Sequence, residues 1–270
     1  MIPAAPLAGL RVLVTRPAHQ AAGLCRRIEA AGGVPVCLPT LEIAPVSDAE
    51  AARRALAAAT TADWLIFISA NAVQYALTLA PELLAHASAR IVAIGAATAR
   101  ALQAKGRAPD RMPRHDFRSE TLLTDPDLGT LTGQQVVIVR GVSGRALLGD
   151  TLRQRGARAR YAEVYQRRCP ATPPEVVAER LRRPAPPDAL IFTSTEALAN
   201  LFVLVPEGPL RQVLRAAQVV VVNRGMVKEA EKMEFGLPAL QANADEADLV
   251  ATLVDWARQR PNPRICPPFA

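Results

Sequence analysis

Three arginines stand where the chain turns from an apolar run into a helical pattern, in Thr15-Arg16-Pro17 and in Arg140-Gly-Val-Ser-Gly-Arg145. A guanidinium is planar and always charged, and it holds a carboxylate through two parallel N–H bonds. Arg16, Arg140 and Arg145 therefore suit a carboxylate ligand, although each also reads as a plain surface arginine at a helix start. Gly141 and Gly144 add backbone N–H groups that an anion can approach closely. The loop lacks the Gly-Lys-Ser/Thr end of a Walker loop, and no G-x-G-x-x-G marks a dinucleotide site. Ser69 and Ser194 close two further apolar runs, and Thr98 follows Ile94-Gly95 in the first turn of the next helical pattern. Each hydroxyl can cap a helix or touch a ligand. Neither serine has a histidine at a comparable strand end, which argues against a hydrolytic triad.

These residues recur in register. Asp63-Trp-Leu-Ile-Phe-Ile-Ser-Ala-Asn-Ala-Val73 returns about 125 residues later as Asp188-Ala-Leu-Ile-Phe-Thr-Ser-Thr-Glu-Ala-Leu198. Leu13-Val-Thr-Arg16 aligns with Val137-Ile-Val-Arg140, and Gly32 with Gly156. Each echo is an apolar run, a polar stop and an amphipathic stretch, the pattern of a strand feeding a helix. Strands are expected over residues 11–15, 34–38, 64–68, 90–94, 135–139, 160–165, 189–193 and 219–222. Helices are expected over 20–31, 49–59, 71–79, 96–105, 145–155, 175–183, 226–233 and 245–258, with a short one near Thr121. Pro35 places its strand at a sheet edge or a bulge. The alternation calls for α/β architecture with parallel sheets, and the repeat calls for two similar lobes.

Composition narrows the function. Half of the 270 residues are apolar and about a fifth are charged, as in a well-cored globular protein. No apolar run reaches the ~18–20 residues that span a bilayer. Met1-Ile-Pro-Ala-Ala-Pro6 carries no secretory signal pattern, so a cytoplasmic location is expected. Cys25, Cys37, Cys169 and Cys266 form no C-x-x-C pair, and His19, His86 and His115 are dispersed, so reduced thiols and no metal site are expected. The net charge of +7 is carried almost wholly by arginine, with only Lys105, Lys228 and Lys232 as lysines. Aromatic residues are scarce and no basic run interleaves with them, which disfavours nucleic acid and leaves a polyanionic small molecule.

Taken together, Leu13-Val-Thr-Arg-Pro17 with Gln20, Phe67-Ile-Ser-Ala-Asn-Ala-Val73, Ile94-Gly-Ala-Ala-Thr-Ala99, Arg140-Gly-x-x-Gly-Arg145 and Val164-Tyr165 resemble the uroporphyrinogen-III synthase family. The resemblance runs from about Leu7 to Trp256, and Ser194-Thr-Glu-Ala197 fits it. Asn223-Arg224 departs from the Ser-x-Arg-like turn usual there. The resemblance implies two flavodoxin-like parallel-sheet lobes joined by a two-stranded β linker, with the active cleft between them. One lobe would comprise 1–39 and 170–260, the other 47–161, with linkers 40–46 and 162–169 and a Pro-rich tail at 261–270. Pro39, Pro45 and Pro170 flank those linkers.

The implied reaction is closure of hydroxymethylbilane, a linear tetrapyrrole with eight carboxylates, to uroporphyrinogen III with ring D inverted and water lost, without a cofactor. The implied substrate-binding set is Thr15, Arg16, Ser69, Asn71, Ala72, Gly95, Thr98, Arg140, Gly141, Gly144, Arg145, Ser194 and Arg224. Tyr165, on a linker strand, would donate a proton to the departing hydroxyl, or else be a packed linker tyrosine. A monomer is expected, with the preceding pathway enzyme as its one transient protein contact and no membrane partner. The competing reading is a cytosolic two-lobed binding or sensor protein for an anionic small molecule.

Overall fold

A computed structural model describes residues 5–113 and 119–260. The expectations that fall on His115, on the first four residues and on the tail at 261–270 lie outside them. The chain divides into two compact units, Met1–Glu42 with Arg168–Ala270, and Ile43–Arg167. The first unit opens with β1 (Arg11–Val14), α1 (Ala18–Ala30) and β2 (Val34–Cys37). The chain crosses to the second within β3 (Glu42–Pro45) and continues through α2 (Ala49–Ala57), β4 (Trp64–Phe67), α3 (Ala70–Leu79) and α4 (Leu83–His86). There follow β5 (Arg90–Ala93), α5 (Ala96–Gln103), α6 (Ser119–Leu122), β6 (Gln135–Gly141), α7 (Leu147–Gln154) and β7 (Arg158–Arg168). The first unit then resumes with α8 (Pro174–Arg182), β8 (Ala189–Phe192), α9 (Thr195–Leu204), α10 (Pro209–Arg215), β9 (Gln218–Val221), α11 (Arg224–Lys232), β10 (Leu240–Gln241) and α12 (Glu246–Gln259).

The first sheet has the order β10-β9-β8-β1-β2 and the second β3-β7-β6-β4-β5. The 125-residue echo maps β1, β2, β4 and β5 onto β6, β7, β8 and β9. Each sheet therefore combines the first half of one repeat with the second half of the other. The registers coincide: Val12 pairs with Ala189 in the first sheet, and its counterpart Val136 pairs with Trp64 in the second. Likewise Arg11 pairs with Val34, and Gln135 with Arg158. The repeat is thus real, but its halves are exchanged between the units.

The repeated aspartate has a structural reason. Asp188 Oδ2 accepts the Arg11 N–H at 3.0 Å while Arg11 O accepts the Asp188 N–H at 2.8 Å. Asp63 does the same with Gln135, at 2.7 and 2.9 Å. A carboxylate directly before the strand thus clamps the start of each exchanged pair. Strands β1, β4, β8 and β9 are buried along their whole length, since helices cover both faces, which is why they read as unbroken apolar runs. Val12, Val14, Ala189, Ile191 and Val220 pack on one face with Leu24 and Ile28 of α1 and Leu249 and Leu253 of α12. Leu13, Leu190, Phe192, Val219 and Val221 face α8, α9, α10 and α11. Phe67, Ile91 and Val139 pack with α2, α3 and α5, and Ile66 and Ile138 with α7.

Pro35 lies on an edge strand, as expected. The strand expected at 160–165 is longer, running to Arg168. The helix at Pro209–Arg215 was unexpected because Val205-Pro-Glu-Gly-Pro209 reads as a break; Pro209 is instead its first-turn proline. The two-residue β10 is too short to leave a periodicity.

Gly32 and Gly156, matched in the repeat, end α1 and α7 with φ of +85° and +89°. This left-handed backbone costs an L-residue about 1–2 kcal/mol. A Cβ on Gly156 would also lie 2.9 Å from Thr132 Cα, a backbone atom that cannot swing away. Gly156→Ala is expected to lose at least ~1–2 kcal/mol in urea unfolding; a loss near zero would contradict this geometry.

Candidate active site

In each sheet the strand order changes direction between two central strands, β1 and β8 in one unit, β4 and β6 in the other. Parallel sheets bind ligands outside the carboxyl ends of their strands at such a point. The turns there are Thr15-Arg16 and Thr193-Ser194 in the first unit, Ile68-Ser69 and Arg140-Gly141 in the second. They hold Thr15, Arg16, Ser69, Arg140, Gly141 and Ser194 of the residues singled out from the sequence.

Ser69 and Ser194 cap α3 and α9 in extended conformation, their Oγ atoms accepting the N–H of Ala72 at 3.0 Å and of Ala197 at 3.1 Å. Asn223 caps α11 in the same way, through Oδ1 and the Met226 N–H at 3.0 Å. The departure at residue 223 therefore keeps the cap. Gly95 occupies the equivalent place before α5 without a side chain, and Thr98 is buried in that helix's first turn. One cap satisfies one of the first four N–H groups of a helix, and the others turn to water or a ligand. Asn71 is half-buried and Arg224 exposed, each in a first helical turn.

Tyr165 lies on β7 beside this edge, with its hydroxyl 3.2 Å from Ser69 Oγ. The ring is only 3% exposed and sits 5.8 Å from that of Tyr75, whose own hydroxyl donates to Ile43 O at 2.8 Å. Gly141 floors it: a Cβ there would come within 2.6 Å of the Tyr165 ring. The tyrosine is thus a core residue whose hydroxyl is shared with a capping serine.

The strand-end arginines are engaged by the protein's own groups. Arg140, only 8% exposed, donates through Nε and Nη2 to Glu163 Oε1 at 3.1 and 2.8 Å. Its Nη1 reaches Gly144 O at 3.0 Å and Arg145 O at 3.2 Å, and its guanidinium lies 3.5 Å from the centre of the Tyr161 ring. Nε and Nη2 thus tie β6 to β7, and Nη1 holds the loop that follows β6. Arg16 is held by Glu246 at 3.2 Å and by Ala244 O at 3.0 Å. Thr15 is fully buried and donates to Ile191 O at 2.7 Å, tying β1 to β8 rather than facing a ligand. Arg145 is largely exposed and pairs with Glu120.

Glu163, Tyr161, Glu246 and Tyr75 escaped the sequence reading. Glu163 stands two residues before Tyr165 and falls opposite Arg140 only once β6 and β7 are in register. Glu246, 230 residues from Arg16, left no local signal.

Because Arg140 is nearly enclosed, removing its counter-charge leaves a buried cation. Glu163→Gln is expected to cost about 1–3 kcal/mol, below the fully buried figure because the glutamate side chain is 36% exposed. Limited proteolysis should cut faster within residues 141–146. Unchanged stability and cleavage would mean that the loop does not depend on this pair.

The profile described as uroporphyrinogen-III synthase HemD matches residues 23–251. The chain is 31% identical over 252 residues to the uroporphyrinogen-III synthase of Escherichia coli (strain K12), covering 90% of this chain and all of that protein. It is 30% identical over 263 residues to that of Synechococcus elongatus, covering 94% and 98%. Its fold resembles a mutant uroporphyrinogen III synthase from the extremely thermophilic bacterium Thermus thermophilus, with a TM-score of 0.60 at 20% identity over 93% of this chain and 99% of that one. The Helicobacter pylori uroporphyrinogen-III synthetase gives 0.57 at 14% identity, over 92% and 99%. The chain belongs to the uroporphyrinogen-III synthase family.

Proposed function

We infer that this chain catalyses its family's reaction, the closure of hydroxymethylbilane to uroporphyrinogen III in tetrapyrrole biosynthesis. The match to that family over residues 23–251 carries the reading. Loss of the substrate's hydroxyl, assisted by the pyrrole nitrogen, leaves a cationic azafulvene, and a proton given to the leaving group releases it as water. The protein's tasks are to hold the bent chain and to supply that proton. The helix N-termini that follow Ser69, Gly95, Ser194 and Asn223 offer amides to carboxylates. Exposed arginines such as Arg224 and a net charge of +7 draw in the polyanion. No described helix is long and apolar enough to cross a membrane. The enzyme works as a cytoplasmic monomer that receives its substrate from the preceding enzyme of the pathway.

Tyr165 is the proton donor in this reading, and Ser69 sets the direction of its hydrogen bond. The Ser69 oxygen already accepts from Ala72, and a hydroxyl that accepts becomes a better donor. In the orientation this reading requires, the Ser69 hydroxyl donates to the phenol oxygen and the phenol proton is left for the substrate. Their 3.2 Å contact supports this role.

Metal-chelated protein without added cofactor is expected to convert hydroxymethylbilane to the type III isomer. Formation of the type I isomer alone, as in spontaneous closure, would overturn the reading, and binding without turnover would return the protein to the sensor class. Tyr165→Phe should lower kcat by about 10²-fold with KM little changed. Ser69→Gly costs a cap only a few tenths of a kcal/mol, and Gly95 already stands at a cap here, so it isolates the hydroxyl. It should lower kcat about tenfold alone and add nothing to Tyr165→Phe. Wild-type turnover by Tyr165→Phe would make the ring a packing residue, and additive losses would separate the two hydroxyls.

A further inference from the structure

Cys25 on α1 and Cys37, the last residue of β2, bring their sulfurs within 3.0 Å of each other. A disulfide bond is about 2.04 Å long, so these atoms stand about 1 Å beyond bonding distance. The helix and strand that carry them are fixed on either side. Leu24 and Ile28 are fully buried beneath α1, and Cys37 is paired with Val14 in the sheet. The Arg180 guanidinium also holds the Cys37 carbonyl at 3.0 Å. The contact thus belongs to the packed unit and not to a loose loop. Both cysteines are free thiols, and Cys37 is exposed while Cys25 is half-buried.

We infer that Cys25 and Cys37 form a reactive dithiol that closes to an intramolecular disulfide on meeting a small-molecule disulfide of the glutathione class. The exposed Cys37 thiolate attacks one sulfur of that oxidant, and one small thiolate leaves. Cys25, as thiolate, then attacks the Cys37 sulfur of the mixed disulfide, and the second small thiol leaves. Two protein thiols are oxidised, one small disulfide is reduced to two thiols, and both thiol protons pass to the released thiolates. The order follows from the surroundings. Burial first, then the bond and charge of Cys37 and the charges of Glu29 and Glu246, push the Cys25 thiol up to about 12. Cys25 is therefore a poor first nucleophile. Conversion of Cys37 to a mixed disulfide removes its thiol from that set, which favours the second step. The bridge would pin the helix that begins after Arg16 to the strand that runs on towards Thr40. The assignment rests on the thiol geometry and is independent of the reaction catalysed.

The test treats the full-length reduced protein with excess oxidised glutathione, blocks remaining thiols and maps peptides without reduction. Wild type should yield one cross-linked pair containing Cys25 and Cys37. It should lose the Cys25 and Cys37 thiols, recovered with dithiothreitol, while Cys169 stays free. Cys25→Ser should stop at a glutathione adduct on Cys37, and Cys37→Ser should leave Cys25 unmodified. Surviving Cys25 and Cys37 thiols in the wild type, an adduct on Cys37 that never resolves, or a bridge to any other cysteine would each overturn the proposal.

Discussion

The pairing of β1 with β8 is the contact on which the first unit depends. It joins residues 177 apart, at Arg11 and Asp188, and nothing local in the chain compels it. The ladder Val12 to Ala189, Leu13 to Leu190 and Val14 to Ile191 is closed at one end by the Asp188 clamp and at the other by the Thr15 hydroxyl. Once it forms, the strand ends bearing Arg16 and Ser194 stand side by side, and each face of the sheet is wide enough to bury a helical layer. The same ladder between β4 and β6, clamped by Asp63, organises Ser69, Arg140 and, through β7, Tyr165.

Seen from these ladders, the polar residues at the strand ends divide into two kinds of work. Ser69, Ser194 and Asn223 each satisfy one helix amide and hold the rest of the helix terminus in place. Arg16 and Arg140 lie behind that edge and spend their donors on Glu246, Glu163 and main-chain carbonyls, which keeps the surrounding turns in one shape. The helix-end amides at these turns are thereby preset before any ligand arrives. Long flexible side chains would lose more entropy on binding than such a rigid edge does.

Much of this was readable in the chain because the signals are local. A carboxylate before an apolar run, a serine after it and a glycine at the helix end act within a few residues of their own position, so they recur visibly in the repeat. The caps at Ser69 and Ser194 and the left-handed glycines at 32 and 156 belong to this class. Residue types alone left the partners of Arg16 and Arg140 unread, because what a guanidinium touches depends on which carboxylate the fold delivers to it. Glu163 and Glu246 arrive through sheet register and helix packing, which no spacing rule encodes. The exchange of halves was equally silent: a tandem repeat reads the same whether its halves pair within one copy or across two, and only the family resemblance implied the crossed arrangement.

That crossed arrangement gives the two units different histories on the ribosome. The second unit is one continuous stretch, Ile43–Arg167, and has all its strands once that stretch has emerged. The first begins earlier and finishes later, since β1 and β2 must wait for β8. At roughly 5–20 residues per second, the 177 residues that separate Arg11 from Asp188 take on the order of 10–35 s to synthesise. Throughout that interval an apolar strand meant for the centre of a sheet has an unpaired side. The nascent chain therefore carries an adhesive edge for most of its own translation, and its exposure to chaperones and to neighbouring chains is set by the length of the unit folded in between.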